Sequence, residues 1–236
     1  MIINSIIFII INLNGYKRNF RKNKRNKRIL QIEKRKKKEK GKKVNINMNK
    51  TLRFVTGNPH KFKEVKAVIQ SNFPTFEVIQ SDAELFELQA DSLEEVAIFK
   101  VKSVKNIVNA PYFIEDAGFF VDDVCNCFPG VYSSYVMKTI GYDGILKILG
   151  GSSNRKAHFE SVIAYINEES KIFTFKGVNI GSVSIEAHGK SGFGFDPIFI
   201  SDETPGKTFA ELTMDEKNRI SHRRRALNKL VEFLKK

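Results

Sequence analysis

Two neighbouring acids, Glu115 and Asp116, are the residues of this chain best suited to do chemistry. They lie in PYFIEDAGFFVDDVCNCFPG, residues 111–130, directly after the apolar run Tyr112 to Ile114. Ala117-Gly118 reads as a break, a second apolar run extends from Phe119 to Val121, and Phe128-Pro129-Gly130 turns the chain. Short apolar runs bounded by turn residues read as buried strands, which puts both acids at the tip of one. A carboxylate there is costly unless something pairs with it. Successive strand side chains also point to opposite faces. The two acids are therefore not expected to share a cavity: one is a candidate reactive group and the other a structural partner. The bland alternative is that both solvate at a loop.

Four further stretches carry polar groups with a use. Thr56-Gly57-Asn58-x-x-Lys61 follows the short strand Leu52 to Val55. Asn58 suits a helix N-cap and Pro59 a first helical position. A helix start offers free backbone N–H groups and a positive dipole end, which suit phosphate. The hydroxyl of Thr56, the amide of Asn58 and the ammonium of Lys61 would add to that cradle, although strand-Gly-helix junctions often hold no ligand. Glu87, in Leu85-Phe86-Glu87-Leu88-Gln89, sits on a loop and is either a metal ligand or simply solvated. Gly192-Phe193-Gly194-Phe195-Asp196-Pro197 sets two aromatics between glycines, where they could stack on a flat base or serve as core phenylalanines. Lys217, His222 and Arg223 fall near the starts of two C-terminal helices, where a carbonyl or phosphate could meet them.

The elements that must position these groups are readable from periodicity. Phe62, Val65 and Ile69 give the first helix a core stripe, Phe76 to Ile79 is a second strand, and a helix beginning near Ser92 buries Leu93, Val96, Ala97 and Val101, with Lys100 nearby. An amphipathic segment spans about Ile140 to Leu149. Three β-rich runs follow from Ala157 to Ala187, with a hairpin turn at 167–170, so the sheet should be mixed rather than purely parallel. Thr213-Met214-Asp215-Glu216 is a capping box, and Ser221 recaps a final helix through Leu234 with Ala226, Leu227, Leu230 and Leu234 on its apolar side.

Charge and cysteine content limit the functional classes. The chain has a net charge of +14, and residues 1–47 alone hold 16 Lys and Arg against 2 Asp and Glu. The rest is neutral, so the basic character says nothing about the ligand of residues 48–236. The tail opens with an apolar run too short to span a bilayer and lacking secretory-signal features. Its Lys/Arg/Asn-rich continuation cannot form a core and is expected to be disordered. Ile, Lys and Asn supply 29 of the first 47 residues, all with AT-rich codons, which favours Met48 as the true start over a membrane-surface or nucleic-acid arm. The only cysteines, Cys125 and Cys127, are poorly spaced for an ordinary disulfide, and no histidine pair has zinc-ligand spacing. A reducing, cytoplasmic setting fits.

Together the stretches resemble the inosine/xanthosine triphosphate pyrophosphatase family, and in phrasing its archaeal members. The match runs through Thr56-Gly57-Asn58-x-x-Lys61, Leu85-x-Glu87-x-Gln89, Glu115-Asp116-x-Gly118, Phe193-Gly194-Phe195-Asp196 and Glu216-Lys217-Asn218 with Ser221-His222-Arg223. It covers Met48 to the C-terminus and none of the tail. The resemblance implies an α/β fold, a twisted mixed sheet flanked by helices, in two lobes around a central cleft. It implies a homodimer that takes a small-molecule nucleotide and hydrolyses a nucleoside triphosphate to monophosphate and pyrophosphate with Mg2+. The neutral charge of residues 48–236 and the short apolar run of the tail add the expectation of no nucleic-acid and no membrane partner. Carried over by position, Glu87 and Asp116 would bind the metal and Asp116 would activate water. Thr56, Gly57, Asn58, Lys61 and Lys100 would hold phosphates. Phe193, Gly194, Phe195, Asp196, Lys217, His222 and Arg223 would line the base and sugar pocket.

Three positions depart from the family pattern. Ala117 replaces a Ser or Thr, so only its backbone N–H remains to contact substrate. Cys127 replaces a Gly before the Phe-Pro-Gly turn, and Phe195 replaces a Tyr or Trp. Inosine and xanthosine present a carbonyl at purine position 6 where adenine presents an amino donor. A pocket of donors should then reject adenine, since a mismatch leaves buried polar groups unpaired. Guanine shares the carbonyl and must be excluded at its 2-amino group. The rival readings are a modified-pyrimidine pyrophosphatase of related fold, a nucleotide-binding module without turnover, and a nucleic-acid binder acting through the tail.

Overall fold

The computed structural model describes residues 50–236 apart from 87 and 123–125. The expectations for the tail, for Met48, for Glu87 and for Cys125 lie outside the described residues. Within them the elements run β1 (Lys50–Val55), α1 (Pro59–Asn72), β2 (Phe76–Ser81), α2 (Leu93–Ser103), β3 (Tyr112–Val121), β4 (Pro129–Gly130), α3 (Ser133–Thr139) and α4 (Gly141–Leu149). The long strands β5 (Lys156–Ile166) and β6 (Ile172–Val183) follow, then β7 (Phe199–Ser201), α5 (Met214–Ile220) and α6 (His222–Leu234). The strands make one open, mixed sheet in the order β2-β1-β3-β5-β6-β7, with β4 also on β3. β1 is parallel to β2 and β3, whereas β3, β5, β6 and β7 run antiparallel.

Alternation along the strands sorts the core by face. Phe113, Ile163 and Tyr165 pack with Val65 and Ile69 of α1 and with Leu227 and Leu230 of α6. Their neighbours Tyr112, Ile114, Val162 and Ala164 pack with Leu93, Ala97 and Val101 of α2. A third cluster, around Phe119, Phe159, Phe199 and Phe209, includes Val136 of α3 and Ile145 of α4. β3 and β5 supply residues to all three clusters, so they tie the two ends of the sheet together.

Two sequence expectations need correction. The three β-rich runs form two strands, because residues 184–187 leave the sheet after Val183. More consequentially, Ala117-Gly118 does not break β3, which is a single ten-residue strand with the acids at its centre. Its pairing with β5 is continuous from Tyr112↔Ile166 to Val121↔Ala157, and those ladder bonds hold the strand through the small residues. Gly118 is needed for the approach of β4: a Cβ there would lie 2.6 Å from the carbonyl oxygen of Gly130.

Candidate active site

On its other edge β3 is covered only in part. β1 reaches Phe113, and β4 begins at Phe119, leaving residues 114–118 without a neighbouring strand among the described residues. A cleft of about 420 Å³ occupies this gap, a size suited to a small organic ligand. Side chains from both faces of β3 can lean into an open edge, so Glu115 and Asp116 both line the cleft. That overturns the expectation that they could not share a cavity. The alternation itself holds, and it sends the two acids to different partners.

Glu115 points toward α1 and α6. Its Oε1 accepts from Ser161 Oγ at 2.7 Å and from Arg223 Nε at 3.2 Å, while Oε2 faces Lys61 Nζ at 2.8 Å. Burial alone would raise its pKa, but Arg223 and Lys61 outweigh it and hold the carboxyl well below the usual range. Asp116 points toward α2. Its Oδ2 accepts from Lys100 Nζ at 2.6 Å, and Oδ1 has no partner among the described residues. Here burial raises the pKa, Lys61 and Lys100 offset it only in part, and the Glu115 charge adds to the rise. Of the two acids, Glu115 is spent on structure and Asp116 is available to accept a proton.

The bonds of Pro111 O, just before β3, and of Glu115 O and Phe119 N within it all point to the side of the gap, to Arg53 N, Lys61 Nζ and Ser133 Oγ. By strand alternation the N–H of Ala117 points the same way, so the donor remaining at this position faces the cleft.

The Thr56–Lys61 turn enters from β1 with its cap as expected, but with fewer free donors. Asn58 Oδ1 accepts from His60 N at 2.9 Å and Lys61 N at 3.2 Å. Phe62 N bonds the Asn58 carbonyl, and Pro59 has no N–H. The first turn of α1 is therefore satisfied internally, which corrects the reading of its backbone as a phosphate cradle. The groups left to donate are the backbone N–H of Gly57, the Thr56 hydroxyl, which itself accepts Asn58 N at 3.1 Å, the Asn58 amide NH2 and Lys61.

At the other end of the cleft, α6 lies tightly on β6. A Cβ on Gly177 would fall 2.1 Å from the His222 carbonyl oxygen, so only glycine lets the first turn of α6 come this near. This sets His222 and Arg223 beside the acids. His222 is buried, with its ring stacked on Phe159 at 4.7 Å and its Nδ1 without a hydrogen-bond partner among the described residues. Burial, then the Arg223 charge, push its pKa well below the ordinary value, so the ring is neutral. Arg223 also donates from Nη1 to Glu64 Oε2 at 2.7 Å. Glu64 was not foreseen as part of the site, although its place three residues after Lys61 on α1 was a usable signal.

The Gly-rich loop divides its two aromatics. Phe195 is 3 % exposed and stacks on Phe119 with centroids 4.9 Å apart, so it has the core role and only borders the cleft. Phe193 is 38 % exposed, with Lys217 Nζ 4.8 Å and Arg223 Cζ 5.7 Å from its centroid. Its ring also stacks with that of His60, centroids 6.2 Å apart, and it is the more exposed of the two aromatics at the cleft. Asp196 anchors the loop by accepting from Phe193 N at 2.7 Å and from Lys217 Nζ at 2.5 Å. Gly57, Gly194 and the remaining expected residues of the described set also line this cleft, together with Ser133, Ser134, Met137 and Lys138 of α3, which sequence reading missed. Cys127 adopts φ +65°, the left-handed region that glycine enters freely, so the Phe-Pro-Gly turn keeps a glycine-like backbone despite the side chain.

Comparison with known proteins agrees with this geometry. Residues 52–233 match the Ham1 family. The chain is 51% identical over 184 residues to a dITP/XTP pyrophosphatase of Thermococcus kodakarensis, covering 78% of this chain and 97% of that protein. It is 46% identical over 185 residues to a dITP/XTP pyrophosphatase of Pyrococcus horikoshii, covering 77% and 95% respectively. Among solved structures, the Staphylococcus aureus Ham1 protein superposes with a TM-score of 0.69 at 30% identity, over 79% of this chain and 98% of that one.

Proposed function

The chain belongs to the Ham1 family, and from that premise we propose that it hydrolyses non-canonical purine nucleoside triphosphates (ITP, dITP and XTP) to the monophosphate and pyrophosphate. The observation that carries this reading is the division of labour at the open edge of β3. A proton-accepting Asp116 faces the cleft between a lysine-bearing turn on one side and an aromatic, donor-lined pocket on the other.

In this reading the base lies against Phe193, and Asp196 with Lys217 hold that loop in place. Arg223, whose Nη2 has no partner among the described residues, and the buried His222 face the base edge. Thr56, Asn58, Lys61, Lys100 and the Ala117 N–H hold the phosphates and stabilise charge developing on them. Asp116 orients a water and takes its proton as the water attacks phosphorus, and pyrophosphate departs with the electrons of the cleaved P–O bond.

The donor set also fits a divalent cation, which we take to be magnesium. Magnesium uses one or two protein carboxylates and completes its coordination with water and substrate oxygens. Asp116, which lines the cleft and whose Oδ1 has no partner among the described residues, meets that requirement, with Glu87 as the second carboxylate by resemblance. Among the described residues no group of three or more His, Cys, Asp or Glu could hold an ion by itself. Bound there, the metal would supply charge neutralisation on the phosphate oxygens. The expected homodimer and the cytoplasmic setting belong to the same proposal, and no described helix is long and apolar enough to cross a membrane.

The test is pyrophosphate release from inosine, xanthosine, adenosine and guanosine triphosphates, with and without magnesium, using protein beginning at Met48. Magnesium-dependent release from the first two, far above the others, is expected. Equal rates on ATP would overturn the base-pocket assignment, and no release from any of the four would overturn the enzyme reading.

A further inference from the structure

Five lysine and arginine side chains line the cleft among the described residues: Lys61, Lys100, Lys138, Lys217 and Arg223. Four of them lie 3.2 Å or less from a carboxylate of the site or just behind it. Their charges are therefore largely answered by Glu115, Asp116, Asp196 and Glu64 before any ligand arrives. Lys138 has no ion pair among the described residues. A triphosphate brings several negative charges, and a cleft whose cations are already neutralised offers them little net attraction.

The placement of Lys138 suits it to this need. It lies in the last turn of α3 (Ser133–Thr139), and α3 is held firmly at its start. Ser133 Oγ accepts from Phe119 N at 2.7 Å and donates to the Gly130 carbonyl at 2.6 Å, and Val136 is buried in the core. The backbone is fixed while the lysine side chain remains exposed at the cleft. α3 packs beside β4, at the opposite end of the open β3 edge from the Thr56–Lys61 turn. The two elements bracket the edge on which Asp116 lies.

We propose that Lys138 is a further phosphate-binding residue, the cation of the cleft that stays free to pair with the polyphosphate chain of the substrate. The assignment rests on the reading of the cleft as a nucleoside triphosphate site. Because the side chain is exposed, each ionic contact it makes is modest, and losing it should weaken triphosphate binding about five- to ten-fold. The loss should fall on KM rather than kcat, since Lys138 touches the phosphate chain and not the attacking water.

The experiment compares wild type, K138Q and K138R in KM and kcat for inosine triphosphate. It also measures binding of inorganic tripolyphosphate and of inosine monophosphate by calorimetry at two salt concentrations. The expected result is a KM and a tripolyphosphate Kd raised about five- to ten-fold in K138Q and restored in K138R, with a weaker salt dependence and little change for the monophosphate. Unchanged tripolyphosphate binding in K138Q would overturn the proposal. That holds with special force if K138Q also melts lower, since a lysine that merely complements the C-terminal end of α3 would affect stability and not binding. Weaker tripolyphosphate binding in K138Q, with no nucleotide turned over by wild type, would overturn the reaction assigned above and still support the phosphate contact.

Discussion

On the α1 and α6 side of β3, Glu115 is enclosed by Arg223, Lys61 and Ser161; one residue further, on the α2 side, Asp116 meets Lys100 and keeps an oxygen toward the cleft. The same functional group is held ionised in the first setting and brought closer to protonation in the second. Each acid has two cations in reach, Arg223 and Lys61 at Glu115 and Lys61 and Lys100 at Asp116, so the difference lies in the other groups each one meets. At Glu115 the two cations with the Ser161 hydroxyl outweigh burial, whereas at Asp116 burial still dominates and the Glu115 charge adds to it. A strand that carries adjacent acids can thus make one a structural anchor and the other a base, provided its edge is open where they lie.

The sharpest way to break this comparison is to neutralise each acid in turn. Asp116→Asn should leave the fold intact and lower kcat by about 10³-fold, in the range expected for loss of a positioned base. If the variant retained most of its turnover, Asp116 would not be the base. Glu115→Gln should act instead on stability. It leaves Arg223 and Lys61 facing a neutral partner in a buried site, which costs about 3–5 kcal/mol and is measurable by urea unfolding.

The same pair separates by pH. Glu115 has a folded pKa below its ordinary value of 4.5, so its contribution to stability is complete above that pH and is lost as the pH falls below it. Asp116 has a folded pKa above its ordinary value, so the acid limb of activity should lie above 3.8, with turnover falling as the pH drops through it. A stability profile of Glu115→Gln that kept the wild-type slope below pH 4.5 would contradict the first assignment.

Smaller effects sharpen the picture at its margins. Glu64→Gln removes one of the two carboxylates on Arg223 while Glu115 remains, and should cost about 1.5–2 kcal/mol, with a loosened base end seen as a raised KM. Cys127→Gly relieves a left-handed backbone at a non-glycine residue and should stabilise the fold by about 0.5–1 kcal/mol. A destabilised Cys127→Gly protein would show that the cysteine side chain contributes packing there.

Much of the frame was legible without coordinates. The caps at Asn58, Ser92, Thr213 and Ser221 lie where the spacing of polar and apolar residues put them, each accepting a hydrogen bond from within three residues. The mixed sheet and the long β5–β6 hairpin followed from alternation and a turn. These features are set by hydrogen bonds and side-chain periodicity within a turn or two of chain, so local sequence is sufficient for them.

What local sequence could not decide was how distant groups are shared out. Glu115 is bound by Arg223, 108 residues away, and Arg223 is bound in turn by Glu64, 159 residues away. Whether an acid is spent or available depends on those meetings, and so do the sorting of Phe195 into the core and Phe193 into the cleft. The open edge that lets both acids reach one cavity exists because β1 stops short and β4 starts late, a property of the assembled sheet rather than of β3. The sequence by itself determined the elements and the chemistry they carry. The tertiary structure alone decided which of the charges are already paired and which remain for a ligand, because that balance is fixed by packing between residues far apart in the chain.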